Sequence, residues 1–150
     1  MVGKRMGIVV AVISAFVVLA AIGAGSGAAQ AQQTASQRNK VIFQVSDGDP
    51  AKWNLTLNNV RNIQADLGAG NVDIEVVSYG PGIGMLQANS PVASRVEEAL
   101  TAGVKVVACE NTMKGQKLAR SDMLNGIGYV GAGVVELVQK QQQGWAYIRP

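Results

Sequence analysis

The chain contains one cysteine and no histidine. Cys109 stands where a β-branched run, Val104 to Ala108, meets Glu110, Asn111, Thr112 and Met113, polar residues suited to starting a helix. A strand-to-helix turn is where open α/β sheets gather their ligands. The free N–H groups and positive end of a helix starting near Thr112, with Lys114 close by, favour the thiolate, the nucleophilic form. The Glu110 carboxylate opposes it, because a second negative charge beside the first is disfavoured. Without histidine a papain-like dyad is impossible, which counts against hydrolysis by nucleophilic attack. A thiol that accepts, holds and hands on a group needs only a thiolate and access. The same position equally suits a small buried cysteine closing an apolar strand.

Other candidates belong to turns that a parallel sheet would collect at the same edge: Asp47 and Asp49, Tyr79 and Gly80, and Asn111 and Thr112 beside the thiol. Asp47 and Asp49 have the chemistry to bind a cation or to act as acid and base. The more ordinary use of such a pair is a turn and a helix cap. Gly80, Gly82 and Gly84 follow the second strand, but no G-x-G-x-x-G follows the first, so a dinucleotide fingerprint is absent. Gly131 to Gly133 before the last helix leaves a phosphate-binding turn as a further reading. The ordinary role of these glycines is tight turning and close packing. No cofactor is implied, and the lack of any Cys/His cluster rules out a zinc site or haem attachment.

The elements that must position these residues alternate. Residues 40–46 read as a strand, and Asp49 with Pro50 opens a helix whose apolar stripe is Trp53, Leu57, Val60, Ile63 and Leu67. Residues 72–79 form a second strand, followed by a helix with Ser90 as its N-cap. Residues 104–108 form a third strand, uniformly apolar as expected of one covered on both faces. An interrupted helix over 112–124, a short strand at 127–130, a helix at 134–143 and a last strand at 145–148 complete the chain. Trp53 belongs to the core, whereas Trp145 and Tyr147 suit a subunit interface. Strand and helix in alternation give right-handed crossovers and a mainly parallel sheet of five strands with helices on both faces. In a flavodoxin-like order, 2-1-3-4-5, the first and third strands flank the switch point, and Asp47, Asp49 and Cys109 share one crevice.

The amino-terminal region reads differently. Lys4 and Arg5 precede an apolar run over 7–22, and Ala29-Gln30-Ala31 offers a small-residue cleavage pattern, so 1–31 reads as a secretory signal peptide. The alternative is a membrane anchor over 7–22, since the run approaches the roughly 20 residues that cross a bilayer. No cysteine follows the run, which excludes a lipoprotein. Export places the protein in the periplasm, and the membrane is a partner only if the segment stays uncleaved. Of 13 basic residues two leave with the leader, so 11 face 10 acidic ones and nothing suggests nucleic acid. Residues 32–39 read as a flexible linker and 40–150 as one small domain, short enough that oligomer formation would help it. An odd thiol in an exported protein points to intermolecular pairing or a reactive group.

Val41 to Asp47, Tyr79 to Ile83, Val106 to Met113, Gly133 to Leu137 and Gly144 to Pro150 together resemble the DsrE/DsrF-like (YchN-like) family, in its small exported and uncharacterised branch. The resemblance covers essentially 40–150. It implies a five-stranded α/β fold of DsrEFH-like order that assembles into homotrimers or hexamers. In the best understood members it implies sulfur relay through a cysteine persulfide, with a protein sulfur donor or acceptor, and Cys109 is the only residue here able to take that role. The expectation is an exported sulfur carrier or thiol relay. Its rival is a non-enzymatic oligomeric small-ligand-binding or assembly protein with a structural cysteine.

Overall fold

The computed structural model describes residues 38–150. The expected leader and residues 32–37 of the expected linker lie outside the described residues. The strand expected from Lys40 starts one residue earlier, at Asn39, so the linker reading ends sooner. Just before it, Arg38 pairs with Asp73 on the neighbouring strand at 3.1 Å.

Five parallel strands form one sheet: β1 (Asn39–Val45), β2 (Val72–Ser78), β3 (Lys105–Cys109), β4 (Gly128–Val130) and β5 (Ala146–Ile148). The helices between them are α1 (Pro50–Leu67), α2 (Ala93–Thr101), α3 (Glu110–Gly115) and α4 (Gly133–Gln142), with a 3-10 helix over Gly80–Leu86. The parallel sheet with helices on both faces is as read from the sequence. Its strand order is not the flavodoxin-like winding but β4-β3-β2-β1-β5. β2 pairs along the whole of β1, from Asn39 with Val72 to Val45 with Ser78, and so separates β1 from β3.

The reason lies in the helices. Trp53, Leu57 and Val60 of α1, Val96 and Ala99 of α2 and Met113 of α3 all enter one core, with Val41, Phe43, Val45, Val76 and Val106 of the sheet. Crossovers are right-handed, so helices that share a face require consecutive steps in the same direction across the sheet. Three such steps lead from β1 to β4. The fourth crossover returns over the sheet to the far side of β1 and leaves α4 on the other face. There a second, small core holds Ile42, Val77, Val107 and Leu137.

Local signals explain the boundaries. Asp49 caps α1, its carboxylate accepting the Ala51 N–H at 2.8 Å, with Pro50 in the first turn. Ser90 begins a turn rather than α2 itself. Its hydroxyl accepts the Val92 N–H at 3.4 Å, and the helix starts only at Ala93. The helix expected from Thr112 to Leu124 is shorter and earlier. Cys109 keeps extended backbone and serves as the cap residue, so α3 runs from Glu110 to Gly115, and a 3-10 turn at Arg120–Asp122 follows separately.

Gly82 is required by contact rather than by its dihedrals. A Cβ there would run into the Val45 carbonyl and Ser46 Cα, so the turn after β2 can close over β1 only without a side chain. At Gly70 nothing lies within 4 Å of an added Cβ. Gly82→Ala is expected to cost about 3 kcal/mol, whereas Gly70→Ala changes stability by no more than about 0.5 kcal/mol. Denaturant unfolding of the two variants beside the parent checks this difference.

Candidate functional site

Alternation along each strand divides the side chains between the faces. Val106 and Ala108 point into the large core, and Val107 into the small one. Cys109, two residues beyond Val107, therefore lies on the α4 side. The return crossover brings the start of α4 directly onto it: the Gly133 N–H donates to Sγ at 3.2 Å. The Gly131 carbonyl lies 4.0 Å from Sγ and accepts the Asn111 N–H at 3.1 Å, which ties the turn after β4 to the turn after β3. Thr112 joins a third turn, its hydroxyl oxygen accepting the Gly80 N–H at 2.9 Å. Once that oxygen has accepted, its own proton is free to be donated towards the sulfur.

Burial alone would push the Cys109 thiol up. The Thr112 hydroxyl and the backbone N–H groups of Gly133, Thr112 and Asn111 outweigh it and hold the thiol below its ordinary value. The thiolate is thus favoured by hydrogen bonds to sulfur. Glu110, expected to oppose it, pairs outward with Arg120 at 2.8 Å, and that guanidinium also lies over the Tyr129 ring. Cys109 is only 5% exposed. Beside it, Asn111, Val130, Gly131, Ala132, Val135 and Glu136 line a shallow groove of about 440 Å³. A smaller cleft of about 150 Å³ between α1 and α2 lies on the opposite face of the sheet.

Of the residues singled out in the sequence, Tyr79, Gly80, Asn111 and Thr112 are gathered with Cys109. Tyr79 packs against Gly133, where a Cβ would sit 3.1 Å from the Tyr79 Cβ. Asp47 and Asp49 do not share a crevice with the thiol. With β2 interposed, β1 and β3 stand two strand spacings apart, about 10 Å. Asp49 is the cap of α1. Asp47 pairs with Lys52 and Arg149, each at 3.4 Å. Slight burial raises its carboxyl, and those two cations more than offset it and hold it below the usual range. Among the described residues, no three of Cys, Asp and Glu stand close enough to hold a metal ion.

Sequence reasoning singled out the Gly131 to Gly133 turn but gave Gly133 no part at the sulfur, because its contribution is a backbone N–H and leaves no side-chain signal. It also missed Glu75, which alternates with apolar neighbours at the start of β2 and is wholly buried beneath α4. Its Oε2 lies 2.9 Å from Lys140 Nζ and 3.2 Å from Lys105 Nζ, paired by charge rather than by a well-directed hydrogen bond, while Oε1 has no hydrogen-bond partner. The usable signal was Glu136 and Lys140, one helical turn apart on α4 and ready to meet charges on the sheet.

A fold and a thiol site so arranged define a class, and comparison supplies its name. The DsrE/DsrF-like family model matches residues 39–150, and the chain belongs to that family. It is similar to the solved structure of MTH1491 from Methanobacterium thermoautotrophicum, titled a protein of unknown function, with 38% identity and a TM-score of 0.71 over 75% of this chain and 99% of that one. It shares its fold with BT1422 from Bacteroides thetaiotaomicron, at 15% identity and TM-score 0.64 over 77% and 98% of the two chains. The ychN protein from E. coli has the same fold, at 15% identity and TM-score 0.61 over 75% and 99%. No curated protein matches the chain.

The hydrogen bonds at sulfur make a measurable claim. Thr112→Val removes the hydroxyl donor, so the pH midpoint for alkylation of Cys109 rises, while Thr112→Ser leaves it near the parent value. Rates of iodoacetamide labelling measured across pH on the native protein test this. An equal midpoint in parent and Thr112→Val would show that the hydroxyl does not act on the sulfur.

Proposed function

We propose that this protein is an exported sulfur carrier of the DsrE/DsrF-like family, holding sulfane sulfur as a persulfide on Cys109. The observation that carries the reading is the Sγ environment: a thiol at a strand end that receives the Gly133 N–H at 3.2 Å and is held below its ordinary pKa by Thr112 and neighbouring N–H groups. Such donors stabilise sulfur while it is anionic, as attacking group and again as leaving group. In the loading step the Cys109 thiolate attacks the outer sulfur of a donor persulfide, R–S–SH. A sulfur–sulfur bond forms to Cys109 and the donor's bond breaks, releasing R–S⁻, which takes up a proton from solvent. An acceptor thiolate then attacks the outer sulfur and Cys109 leaves as thiolate. Sulfane sulfur moves between thiols with no net oxidation, so neither a metal nor a histidine base is needed.

Export rests on residues 1–31, with their basic start, apolar run and A-x-A pattern. Among the described residues no helix is long and apolar enough to cross a membrane. For assembly, we infer a homo-oligomer built on the α4 face. Val134, Val135 and Val138 lie 57%, 48% and 48% exposed on α4, and Tyr147 is exposed at the end of the same face. Buried against a second copy, this surface would leave water in the manner of an interface core. The burial of Cys109 favours a second reading, in which the thiol only closes the small core and the protein is a non-enzymatic assembly or binding module.

Two measurements separate these readings. Treated with a low-molecular-weight persulfide, the native protein should gain the mass of one sulfur atom, lose it to an added thiol, and gain nothing as Cys109→Ser. Cys109 that labels with a thiol reagent only after denaturation would establish the structural reading instead. For assembly, Val134→Glu with Val138→Glu should convert an oligomer to monomers in sedimentation velocity, and a monomeric parent protein would rule the interface out.

A further inference from the structure

The two faces of the sheet are held very differently. Twenty-two buried apolar residues form the core beneath α1 and α2. Only four form the core beneath α4, and Leu137 is the one α4 side chain among them. Tyr79, Val130 and Trp145 pack around its rim, yet with Leu137 the one α4 side chain inside, apolar contact alone gives the helix little direction along the strands. The charged cluster supplies that direction. Lys140 Nζ lies 2.9 Å from Glu75 Oε2, 3.6 Å from Glu136 Oε1 and 4.4 Å above the centre of the Trp145 ring. Lys105 on β3 completes the cluster, 3.2 Å from Glu75 and 4.0 Å from Glu136. A carboxylate wholly withdrawn from water with one unpartnered oxygen is costly, and a charge pair in such a place is best attested where it fixes a register.

What that register serves is at the other end of the helix. Seven residues separate Gly133 from Lys140, about 10 Å of helix. Along the same face of β2, Glu75 meets Lys140, whereas Val77 and Tyr79 meet Gly133. A helix pinned at Lys140 therefore has its first N–H placed at a fixed height above the sheet edge, where Cys109 Sγ stands 3.2 Å away.

We propose that the buried Glu75–Lys140 pair is the register pin of α4 and sets the Gly133 N–H against the Cys109 sulfur. Glu75 and Lys140 are positioning residues for the thiol, although neither touches it. The inference builds on the reading of Cys109 as a working thiol, but its test reads the thiol directly and does not depend on sulfur transfer.

The experiment is the pH dependence of iodoacetamide alkylation of Cys109 in the full chain. Glu75→Gln and Lys140→Met should each raise the midpoint and slow labelling several-fold at neutral pH, whereas Lys140→Arg, which keeps charge and reach, should retain the parent profile. Because removing one partner of a buried pair is strongly destabilising, the deciding variant is the double Glu75→Leu/Lys140→Met. It fills the seat with apolar groups, removes the Glu75–Lys140 pairing and leaves Lys105 and Glu136, 4.0 Å apart, to pair with each other, and its midpoint should also rise. A double variant that folds and titrates like the parent overturns the proposal, as does a raised midpoint in Lys140→Arg. Loss of persulfide loading with an unchanged alkylation profile would count against the carrier function and leave the pin standing.

Discussion

The handedness of the crossovers governs this molecule. Because each strand–helix–strand unit turns the same way, three steps in one direction stack α1, α2 and α3 on one face, and the single return step sends α4 to the other. The N-terminus of α4 is thereby carried to the ends of β2 and β3. Cys109, the last residue of β3, faces that side by simple alternation from Val107. The donor on its sulfur is thus a product of topology: a peptide N–H delivered by the last helix to the end of the third strand.

The same constraint makes the two faces unequal in kind. The α1/α2 face is stabilised by apolar burial and can absorb small shifts among many contacts. The α4 face joins a minimal apolar patch to four charges, so its geometry is more directional and less tolerant of substitution. Lys140 shows how this works. Burial alone would make its ammonium easier to deprotonate, but Glu75 and then Glu136 more than reverse that and hold its pKa above the ordinary value. The cation stays charged within a largely buried setting, and the helix stays with it.

Much of this was legible in the residues. The stripe from Trp53 to Val60, the Asp49–Pro50 helix start and the β-branched run into Cys109 state their structures locally, and local rules suffice to read them. The direction in which the first crossover steps was not legible. The apolar stripe of α1 is the same whichever face of the sheet it covers, and only the shared core with α2 decides. That single choice separated Asp47 from Cys109. The burial of Glu75 was not legible for a related reason: two-residue alternation tells which side of a strand a residue is on, but not whether a helix with matching charges will cover that side. The turns after β2, β3 and β4 meet around Cys109 because every parallel strand delivers its following turn to one edge, whatever the order.

Both edges of the sheet are strands of three residues, β4 and β5. Short edges offer little backbone for another chain to pair with. β5 has a further consequence for how the protein comes to exist. Its partner is β1, and the Tyr147 hydroxyl donates to Gln44 across 103 positions of sequence. Until the final residues arrive, one side of the first strand has no partner and α4 has nothing to lead into. The large core can gather as the chain emerges, but the Gly133 N–H that meets the thiol belongs to α4, which follows it in the chain. While the chain is being made, then, Cys109 precedes the helix that supplies its Gly133 donor, and the sulfur gains that partner only when α4 settles on the sheet.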